Sequence, residues 1–351
     1  MSLDWLQQPI AAIDKQTQAQ ARQRQGQLTK PPGSLGRLEE LAIRLAGMQA
    51  TQSIALDKIH IVVFAADHGI AAEGVSAFPQ AVTTEMIKNF ARGGAAISVM
   101  ARQLGASLEV VDVGSVTPPG PLPGVVEQRI AAGTANFLEQ PAMDQEQLAQ
   151  ALQCGRDAVL RAEGMQLFIG GDMGIANTSA AAAIAAALLH KPASELAGPG
   201  TGLDASGISH KARLIQSAIE KHHDVMDGDP LKVLRHVGGF EIAALCGAYL
   251  ACAQQGIPFM VDGFIASSAA LVAVQLNTGV RKWMFLSHRS AEPGHGRMVA
   301  GLGIEPLLDL GMRLGEGSGA AVAVPLLRMA VAIHTQMATF AEAGVSGKSE
   351  S

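Results

Sequence analysis

Five short apolar runs, each closed by small or polar residues, constrain the fold more than any other feature of this chain. They span four to eight residues each and lack the strict alternation of a strand with one wet face. The runs cover residues 59–66, 108–113, 166–169, 258–261 and 283–286. Such runs are typical of strands buried on both faces of a parallel sheet.

Segments with helical spacing separate these runs. They cover residues 81–104, 144–163, 176–189, 209–221, 240–255 and 267–276. Strands that alternate with helices predict an α/β fold with a parallel sheet and right-handed crossovers. In such a sheet the ligand binds beyond the carboxyl ends of the strands. We therefore expect one crevice faced by the groups at four strand ends, which are Asp67 with His68, Asp172, Asp262, and Ser287 with His288.

Composition narrows the class of protein. Of 351 residues, 48% are hydrophobic and 16% are charged, which suits a large buried core and argues against disorder. The net charge of −5 argues against a nucleic-acid partner. The chain has three cysteines, an odd number, and no C-x-x-C motif. We therefore predict that the cysteines are reduced and serve only in packing. The first residues lack a signal-peptide pattern and no apolar run reaches membrane length, so we expect a cytoplasmic protein.

Two glycine-rich loops, one of them directly after the third run, suit an anionic ligand. Gly174, Asn177 and Thr178 stand where the third run enters an alanine-rich helix, and free N–H groups at a helix start attract anions. Simple N-capping by Asn177 or Thr178 explains the same pattern. A second loop, residues 198–202, precedes Lys211, which fits either a phosphate contact or a solvated surface lysine.

The segment after the fifth run offers a third polar site. Ser287 and Ser290 suit phosphate or ribose hydroxyls, and we expect a helix to begin near Ser290. A nucleophilic triad with His288 is disfavoured because no G-x-S-x-G elbow is present. A metal site at Asp67, His68 and Glu73 is disfavoured because no third ligand stands at metal spacing.

Glu316 is a single carboxylate among three glycines, directly before a long apolar helix. Ser318 is the predicted N-cap of that helix, and Pro325 lies inside it. Glycines allow another molecule to approach closely, so Glu316 fits a general base aimed into a cleft. An exposed loop carboxylate is the alternative. Phe78 and Met86 fit an apolar slot for a flat ring, although ordinary core packing explains them as well.

Several motifs together resemble one protein family. They are 30–39 (KPPGSLGRLE), 66–69 (ADHG), 174–178 (GIANT), 237–240 (VGGF), 261–264 (VDGF) and 313–319 (RLGEGSG). Their residues and order resemble the nicotinate-nucleotide–dimethylbenzimidazole phosphoribosyltransferases of cobalamin lower-ligand synthesis. The resemblance runs from about residue 28 to about residue 335.

The resemblance implies an architecture. It implies a Rossmann-like parallel sheet of about six strands flanked by helices, within a large domain of residues 51–319. It also implies a small helical domain formed by residues 1–50 together with 320–351, and a homodimer.

The resemblance also implies a reaction and a set of site residues. Phosphoribose passes from nicotinate mononucleotide to 5,6-dimethylbenzimidazole, with Glu316 as the catalytic base and neither metal nor redox cofactor. Asp172 is the second implied catalytic residue, and it stands where the family has a glutamate, which is one methylene longer. The implied phosphate contacts are Lys211 and Ser290, and the ring pocket is Phe78, Pro79, Met86 and Leu314. The other expected substrate contacts are Gly174, Asn177, Thr178, Gly200, Gly202, Asp262, Ser287 and Gly315.

Two other functions compete with this reaction. A non-catalytic nucleotide-binding protein would use Glu316 only to recognise a ring N–H. A dinucleotide-dependent oxidoreductase is disfavoured because no G-x-G-x-x-G follows the first strand.

Overall fold

The fold is built on one six-stranded parallel sheet in the computed structural model, which describes residues 3–346. The strands are β1 (Ile59–Ala66), β2 (Ser107–Gly114), β3 (Val125–Glu127), β4 (Leu167–Met173), β5 (Phe259–Val261) and β6 (Met284–Leu286). Their order is β3-β2-β1-β4-β5-β6, and every neighbouring pair is parallel. The predicted α/β class and the six-stranded Rossmann-like sheet are confirmed.

The strand order reverses between β1 and β4, and this reversal positions the ligand site. From β1 the chain moves outward through β2 to β3, then returns to β4 on the other side of β1. The helices that follow strands on either side of this point diverge, which leaves a crevice at the carboxyl ends of the strands.

Burial on both faces explains why the apolar runs form strands. All eight residues of β1 are buried, including His60, and no alternation of exposed and buried side chains is visible. The third strand was not predicted. Val125–Glu127 is only three residues long and its side chains are half-buried or exposed, so it carries no apolar run.

Helices connect the strands and pack on the sheet. They are α1 (Lys15–Gln27), α2 (Arg37–Gln49), α3 (Ala81–Arg92), α4 (Ala96–Leu104), α5 (Gln145–Arg161), α6 (Asn177–Leu189), α7 (Ala205–Met226), α8 (Pro230–Val237), α9 (Phe240–Gln255), α10 (Phe264–Leu276), α11 (His295–Leu302), α12 (Ser318–Gln336) and α13 (Phe340–Ala343). Helix α9 packs against both α5 and α10, while α12 packs against α2 and α4.

Local backbone chemistry accounts for where the helices differ from prediction. The single helix expected at residues 81–104 is wrong, because Gly93 takes a left-handed conformation that ends α3 before α4 begins. Helix α7 starts four residues earlier than expected, because Asp204 caps it by accepting a hydrogen bond from the Gly207 N–H at 2.8 Å.

The two chain ends pack together. Helices α1 and α12 both pack on α2, and Leu28 pairs with Thr339 in an antiparallel bridge. Arg24 donates to the His334 carbonyl at 2.7 Å. Helix α12 also packs on β4, so it contacts the sheet as well as the N-terminal helices. The division into two domains stays a prediction, and its residues 1, 2 and 347–351 lie outside the described part.

Helix α12 corrects the expectation that no apolar segment reaches membrane length. Among residues 3–346, it is the one helix long and apolar enough to cross a membrane, with a mean hydropathy of 1.4 over its most apolar window. More than half of that window, 56%, is buried inside the protein. Core helices of soluble proteins pass the same test, so the helix is weak evidence for a membrane.

Two glycines let helices α5 and α9 touch backbone to backbone. A Cβ added at Gly155 would overlap the Ala244 carbonyl, and one added at Gly247 would overlap the Leu152 carbonyl. Neither overlap involves a flexible side chain that could move away. The close packing of these two helices therefore depends on both glycines.

We expect Gly155→Ala to destabilise the protein by about 1–3 kcal/mol, because the helices must separate. The measurement is the urea midpoint of unfolding. Gly26→Ala is the control, since Gly26 lies on the exposed side of α1 with nothing within 4 Å of an added Cβ. The control should be neutral or stabilising by up to about 1 kcal/mol. Equal midpoints for the two variants would contradict this account of α5 and α9.

Candidate active site

One cavity of about 370 Å³ collects most of the predicted site residues. It lies at the carboxyl ends of β4, β5 and β6, beside the loop that leads into α12. Its size is in the range typical of small-molecule sites. The predicted residues that line it are Phe78, Met86, Asp172, Gly174, Asn177, Thr178, Gly200, Asp262, Ser290, Leu314, Gly315 and Glu316.

Four predicted contacts do not line the cavity. Pro79, Gly202, Lys211 and Ser287 are absent from its wall. The Ser287 hydroxyl instead donates to the Asp262 carbonyl at 3.0 Å. Lys211 is fully buried behind the wall, so the alternative of a solvated surface lysine is wrong.

The expected crevice of four strand ends is only partly correct. Asp172, Asp262 and His288 face the cavity, whereas Asp67 and His68 do not. Asp67 accepts from the Thr83 hydroxyl at 2.7 Å, and His68 pairs with the buried Glu241 at 2.6 Å. Both groups at the end of β1 are therefore used inside the protein rather than at its ligand site.

The backbone around Glu316 is strained. Gly315, Glu316 and Gly317 have φ values of 87°, 63° and 84°, all in the left-handed region. That conformation is uncommon for a residue with a side chain, and at functional sites such strain is maintained by the surroundings. Here the Glu316 N–H donates to the Asp172 carbonyl at 3.3 Å. A Cβ at Gly171 would overlap the Glu316 carbonyl, so β4 must carry glycine at that position.

The Glu316 side chain is 6% exposed and points toward helix α4. Its Oε2 accepts a hydrogen bond of 3.3 Å from the Ile97 N–H, in the first turn of that helix. Burial raises the pKa of Glu316, the Ile97 hydrogen bond lowers it, and the charge of Asp262 raises it, with a net rise. The alternative of an exposed loop carboxylate is therefore wrong, and the raised pKa favours proton acceptance by this group.

Asp172 is held beside Glu316 by Asn177, whose side-chain amide donates to Oδ2 at 3.0 Å. Burial raises the pKa of Asp172 well above its usual value, and the charges of Asp262, Glu241 and Glu316 add to the rise. Asn177 does not cap α6, because that helix begins after Ala176 without a side-chain cap, and the N-capping alternative is wrong.

Asp262 directly follows β5 in the chain, and its side chain lies beside the first turn of α12. Its Oδ1 accepts from the Ala320 N–H at 2.8 Å and lies 3.8 Å from His288 Nε2. Burial raises the pKa of Asp262, although His288 and the backbone N–H groups of α12 oppose the rise. Ser318 is not the N-cap: Gly317 takes that position, and the Ser318 hydroxyl donates to the Gly315 carbonyl at 2.7 Å.

A basic cluster, which we define as Lys211 and Arg313, surrounds the loop of residues 198–202. Lys211 Nζ donates to Thr178 Oγ1 at 2.6 Å and to the Gly198 carbonyl at 3.4 Å. Arg313 lines the cavity and donates to the Gly200 carbonyl at 3.0 Å. Burial lowers the pKa of Lys211 to about 8, while Glu292 opposes the shift, so the ammonium is mostly charged at neutral pH.

Ser290 is held by the side chain of His295. The Ser290 N–H donates to His295 Nδ1 at 2.8 Å, and His295 Nε2 lies 3.0 Å from Ser267 Oγ. Burial lowers the pKa of His295 to about 3, so the ring is neutral with its proton on Nε2. The helix expected near Ser290 begins at His295 instead. The Ser290 hydroxyl, which accepts from the Glu292 N–H at 3.3 Å, remains able to donate into the cavity.

Apolar side chains form another part of the wall. Phe78 and Leu314 are more than half exposed, at 53% and 59%, and both line the cavity with Val82 and Met86. Exposed large apolar groups around a cavity are typical of a site for a flat apolar ligand.

Sequence reasoning missed several wall residues. Glu292 and Arg313 line the cavity but were not among the individual candidates, and neither were Val82 and Phe264. Arg313 had a usable signal, since it stands in the same motif as Glu316. Glu292 had none, because it lies in an irregular turn, where no periodic pattern indicates which side chains face inward. Within residues 3–346, no group of three His, Cys, Asp or Glu side chains is arranged to hold a metal.

The cavity wall therefore combines a carboxylate of raised pKa, the Arg313 guanidinium with Lys211 buried behind it, and an apolar part. This arrangement can hold an anionic group and a flat ring while a base accepts a proton. The charged side chains in the wall suit a polar ligand better than a purely apolar one.

This chain is similar to known phosphoribosyltransferases along nearly its whole length. A family model described as phosphoribosyltransferase matches residues 10–345. Two relatives are the nicotinate-nucleotide–dimethylbenzimidazole phosphoribosyltransferases of Ectopseudomonas mendocina and Pseudomonas aeruginosa. They are 60% and 59% identical to this chain over 348 and 350 residues, and each match covers 99% of this chain and 99% of the relative. The crystal structure of the Thermus thermophilus enzyme matches with a TM-score of 0.90 and 46% identity, covering 96% of this chain and 100% of that chain.

The resemblance predicted from the motifs is confirmed along nearly the whole chain. The protein is an enzyme of the pentosyl-transferring class. With its cavity, fold and relatives in agreement, the chain belongs to the nicotinate-nucleotide–dimethylbenzimidazole phosphoribosyltransferase family.

Proposed function

We propose that the protein transfers phosphoribose from nicotinate mononucleotide to 5,6-dimethylbenzimidazole, with Glu316 as general base and inversion at C1′. The names of its relatives support the substrates. The observation that carries the assignment of the base is the Glu316 carboxylate, which lines the same cavity as Phe78, Met86 and Leu314. A base beside an apolar ring site is what this reaction requires.

The proton transfer follows from the chemistry of benzimidazole. One ring nitrogen attacks C1′ with its lone pair, while the other nitrogen carries a proton. As the new bond forms the ring becomes cationic, and that proton becomes acidic. Glu316 accepts this proton. Its pKa is raised in the direction of neutral pH, and a general base is most effective when its pKa is close to the working pH.

The leaving group needs no acid. When the bond from C1′ to the nicotinate ring breaks, its electron pair moves to the ring nitrogen and cancels the pyridinium charge. Attack from the opposite face converts the β-linkage to the α-linkage, giving α-ribazole 5′-phosphate and nicotinate. Asp172 and Asp262 lie in the same cavity wall, and it is the ionised form of each side chain that favours the positive charge on the sugar as the bonds exchange.

The phosphate is assigned to the basic cluster and Ser290. Lys211 does not line the cavity, but its ammonium holds Thr178 and the 198–202 loop, which do. Its positive charge attracts a phosphate on the other side of these residues. The homodimer, the cytoplasmic location and the absence of nucleic-acid and membrane partners remain predictions.

The competing function is that of a nucleotide-binding protein that catalyses no reaction. It would use Glu316 only to accept a hydrogen bond from a ring N–H. Turnover of nicotinate mononucleotide with a benzimidazole, followed by chromatography of the products, separates the two in one assay.

Glu316→Gln should lower kcat by about 10²–10⁴-fold, because the amide keeps the shape of the side chain and cannot accept the proton. Calorimetry should show little change in nicotinate mononucleotide binding. Glu220→Gln, at an exposed position in α7, is the matched control and should keep full activity. Near-normal turnover by Glu316→Gln would remove this residue from the role.

The parent and the Glu316→Gln variant also test the protonation state of Glu316. A base must be ionised, so kcat of the parent should fall as the pH drops through the raised pKa of Glu316. The residual activity of Glu316→Gln should lack this acid limb.

Lys211→Met should weaken nicotinate mononucleotide far more than nicotinate riboside, because methionine fills the buried space but removes the charge, and the hydrogen bonds lost to Thr178 and Gly198 affect both ligands alike. Calorimetry with both ligands measures the difference. An equal loss for the two would place the phosphate away from Lys211.

Competition between bases tests the ring site. Two methyl groups buried against Phe78, Met86 and Leu314 contribute very roughly 1.5 kcal/mol, or about tenfold in KM. We expect 5,6-dimethylbenzimidazole to be preferred over benzimidazole, and adenine to be poorest, since its amine would be unpaired. If adenine outcompetes the dimethyl compound at limiting nucleotide, the apolar wall is not the ring site.

A further inference from the structure

Glu292 is a buried carboxylate in the cavity wall that the proposed mechanism leaves without a role. It is 4% exposed and lines the cavity, and its Oε2 has no hydrogen-bond partner within the described part of the chain. Its backbone is fixed on both sides, since its N–H donates to Ser290 Oγ and its carbonyl accepts from the His295 N–H at 3.0 Å. A buried carboxylate oxygen requires a donor, because an unmade hydrogen bond at such a group is costly.

The chain makes room for this side chain. A Cβ at Gly198 would overlap Glu292 Oε2, so the glycine leaves the space that the carboxylate occupies. The same glycine accepts a hydrogen bond from Lys211 through its carbonyl. Burial raises the pKa of Glu292, while the charges of Lys211 and Arg313 and the backbone N–H of Gly200 oppose the rise. Glu292 therefore lies beside the basic cluster.

The chemistry of a carboxylate decides what it can bind here. An ionised carboxylate only accepts hydrogen bonds, and so do the oxygens of a phosphate dianion. Glu292 therefore repels the phosphate that the basic cluster attracts. The donors nearest to the phosphate of a nucleotide are the ribose hydroxyls. Carboxylates bind ribose hydroxyls in other Rossmann-like sites for the same reason.

The other carboxylates of the cavity have different neighbours. Asp262 contacts His288 and the first turn of α12, and Asp172 is held by Asn177. Glu316 accepts from the first turn of α4. Only Glu292, among these four, lies against the loop that Lys211 and Arg313 surround.

We propose that Glu292 accepts a hydrogen bond from a ribose hydroxyl of the nucleotide and thereby selects ribonucleotides over deoxyribonucleotides. The proposal rests on the proposed function, since it takes nicotinate mononucleotide as the ligand. It assigns Glu292 to the sugar, whereas Lys211 and Arg313 serve the phosphate.

The test crosses protein variants with substrate analogues. The substrates are nicotinate mononucleotide and its 2′-deoxy and 3′-deoxy forms, and the readout is kcat/KM. The parent should prefer the ribonucleotide over at least one deoxy form by about 10- to 100-fold. Glu292→Ala should lower kcat/KM for the ribonucleotide by a similar factor and leave that deoxy form nearly unchanged, so the preference disappears.

Two further variants complete the design. Gly198→Ala keeps the carboxylate but displaces it, and should reduce the same preference. Glu305→Gln is the control, since its side chain is 78% exposed and lies outside the cavity wall. Its preference should equal that of the parent.

The outcomes separate the two proposals. Failure of the parent to turn over nicotinate mononucleotide would overturn the proposed function itself. With an active parent, the assignment to the sugar is overturned if Glu292→Ala lowers kcat/KM equally for all three nucleotides. It is also overturned if the preference survives in both Glu292→Ala and Gly198→Ala.

Discussion

The site depends on a direct contact between two backbones, Gly171 of β4 and Glu316. Strand β4 carries no side chain at this point, so the loop of residues 315–317 lies directly on it. Three successive left-handed residues then turn the chain into α12, and the Glu316 N–H reaches the Asp172 carbonyl. The strain of a non-glycine residue in this region, of order 1–3 kcal/mol, is offset by the packing of α12.

The same contact determines where the charges lie. Because α12 starts at this point, its first N–H groups face Asp262 at the end of β5. Glu316 in turn meets the first turn of α4. Two helix N-termini thus stabilise two carboxylates that would otherwise repel each other, and burial still leaves both with raised pKa values. The basic cluster surrounds a different loop, so one cavity can accept both a cationic ring and a phosphate.

The fold was predictable where burial leaves a signal in the sequence. Strand β1 is apolar along its whole length, and its ends were assigned correctly, whereas the half-exposed β3 was missed. Glu316 was recognisable because glycines isolate it. The inward position of Glu292 was not recognisable, because the residue lies in an irregular turn without a periodic pattern. Asp67 and His68 were wrongly expected in the crevice, since their partners Thr83 and Glu241 are distant in sequence.

Helix α12 follows every strand of the sheet in the chain, and this order has a consequence for biosynthesis. The ribosome completes β6 before it makes Glu316, so the sheet can assemble while Gly171 still lacks its covering loop. A nascent chain at that stage exposes the apolar surface of β4 and α4 that α12 later covers. Until α12 emerges from the ribosome, the growing chain exposes apolar surface of the kind that makes incompletely folded chains prone to aggregation.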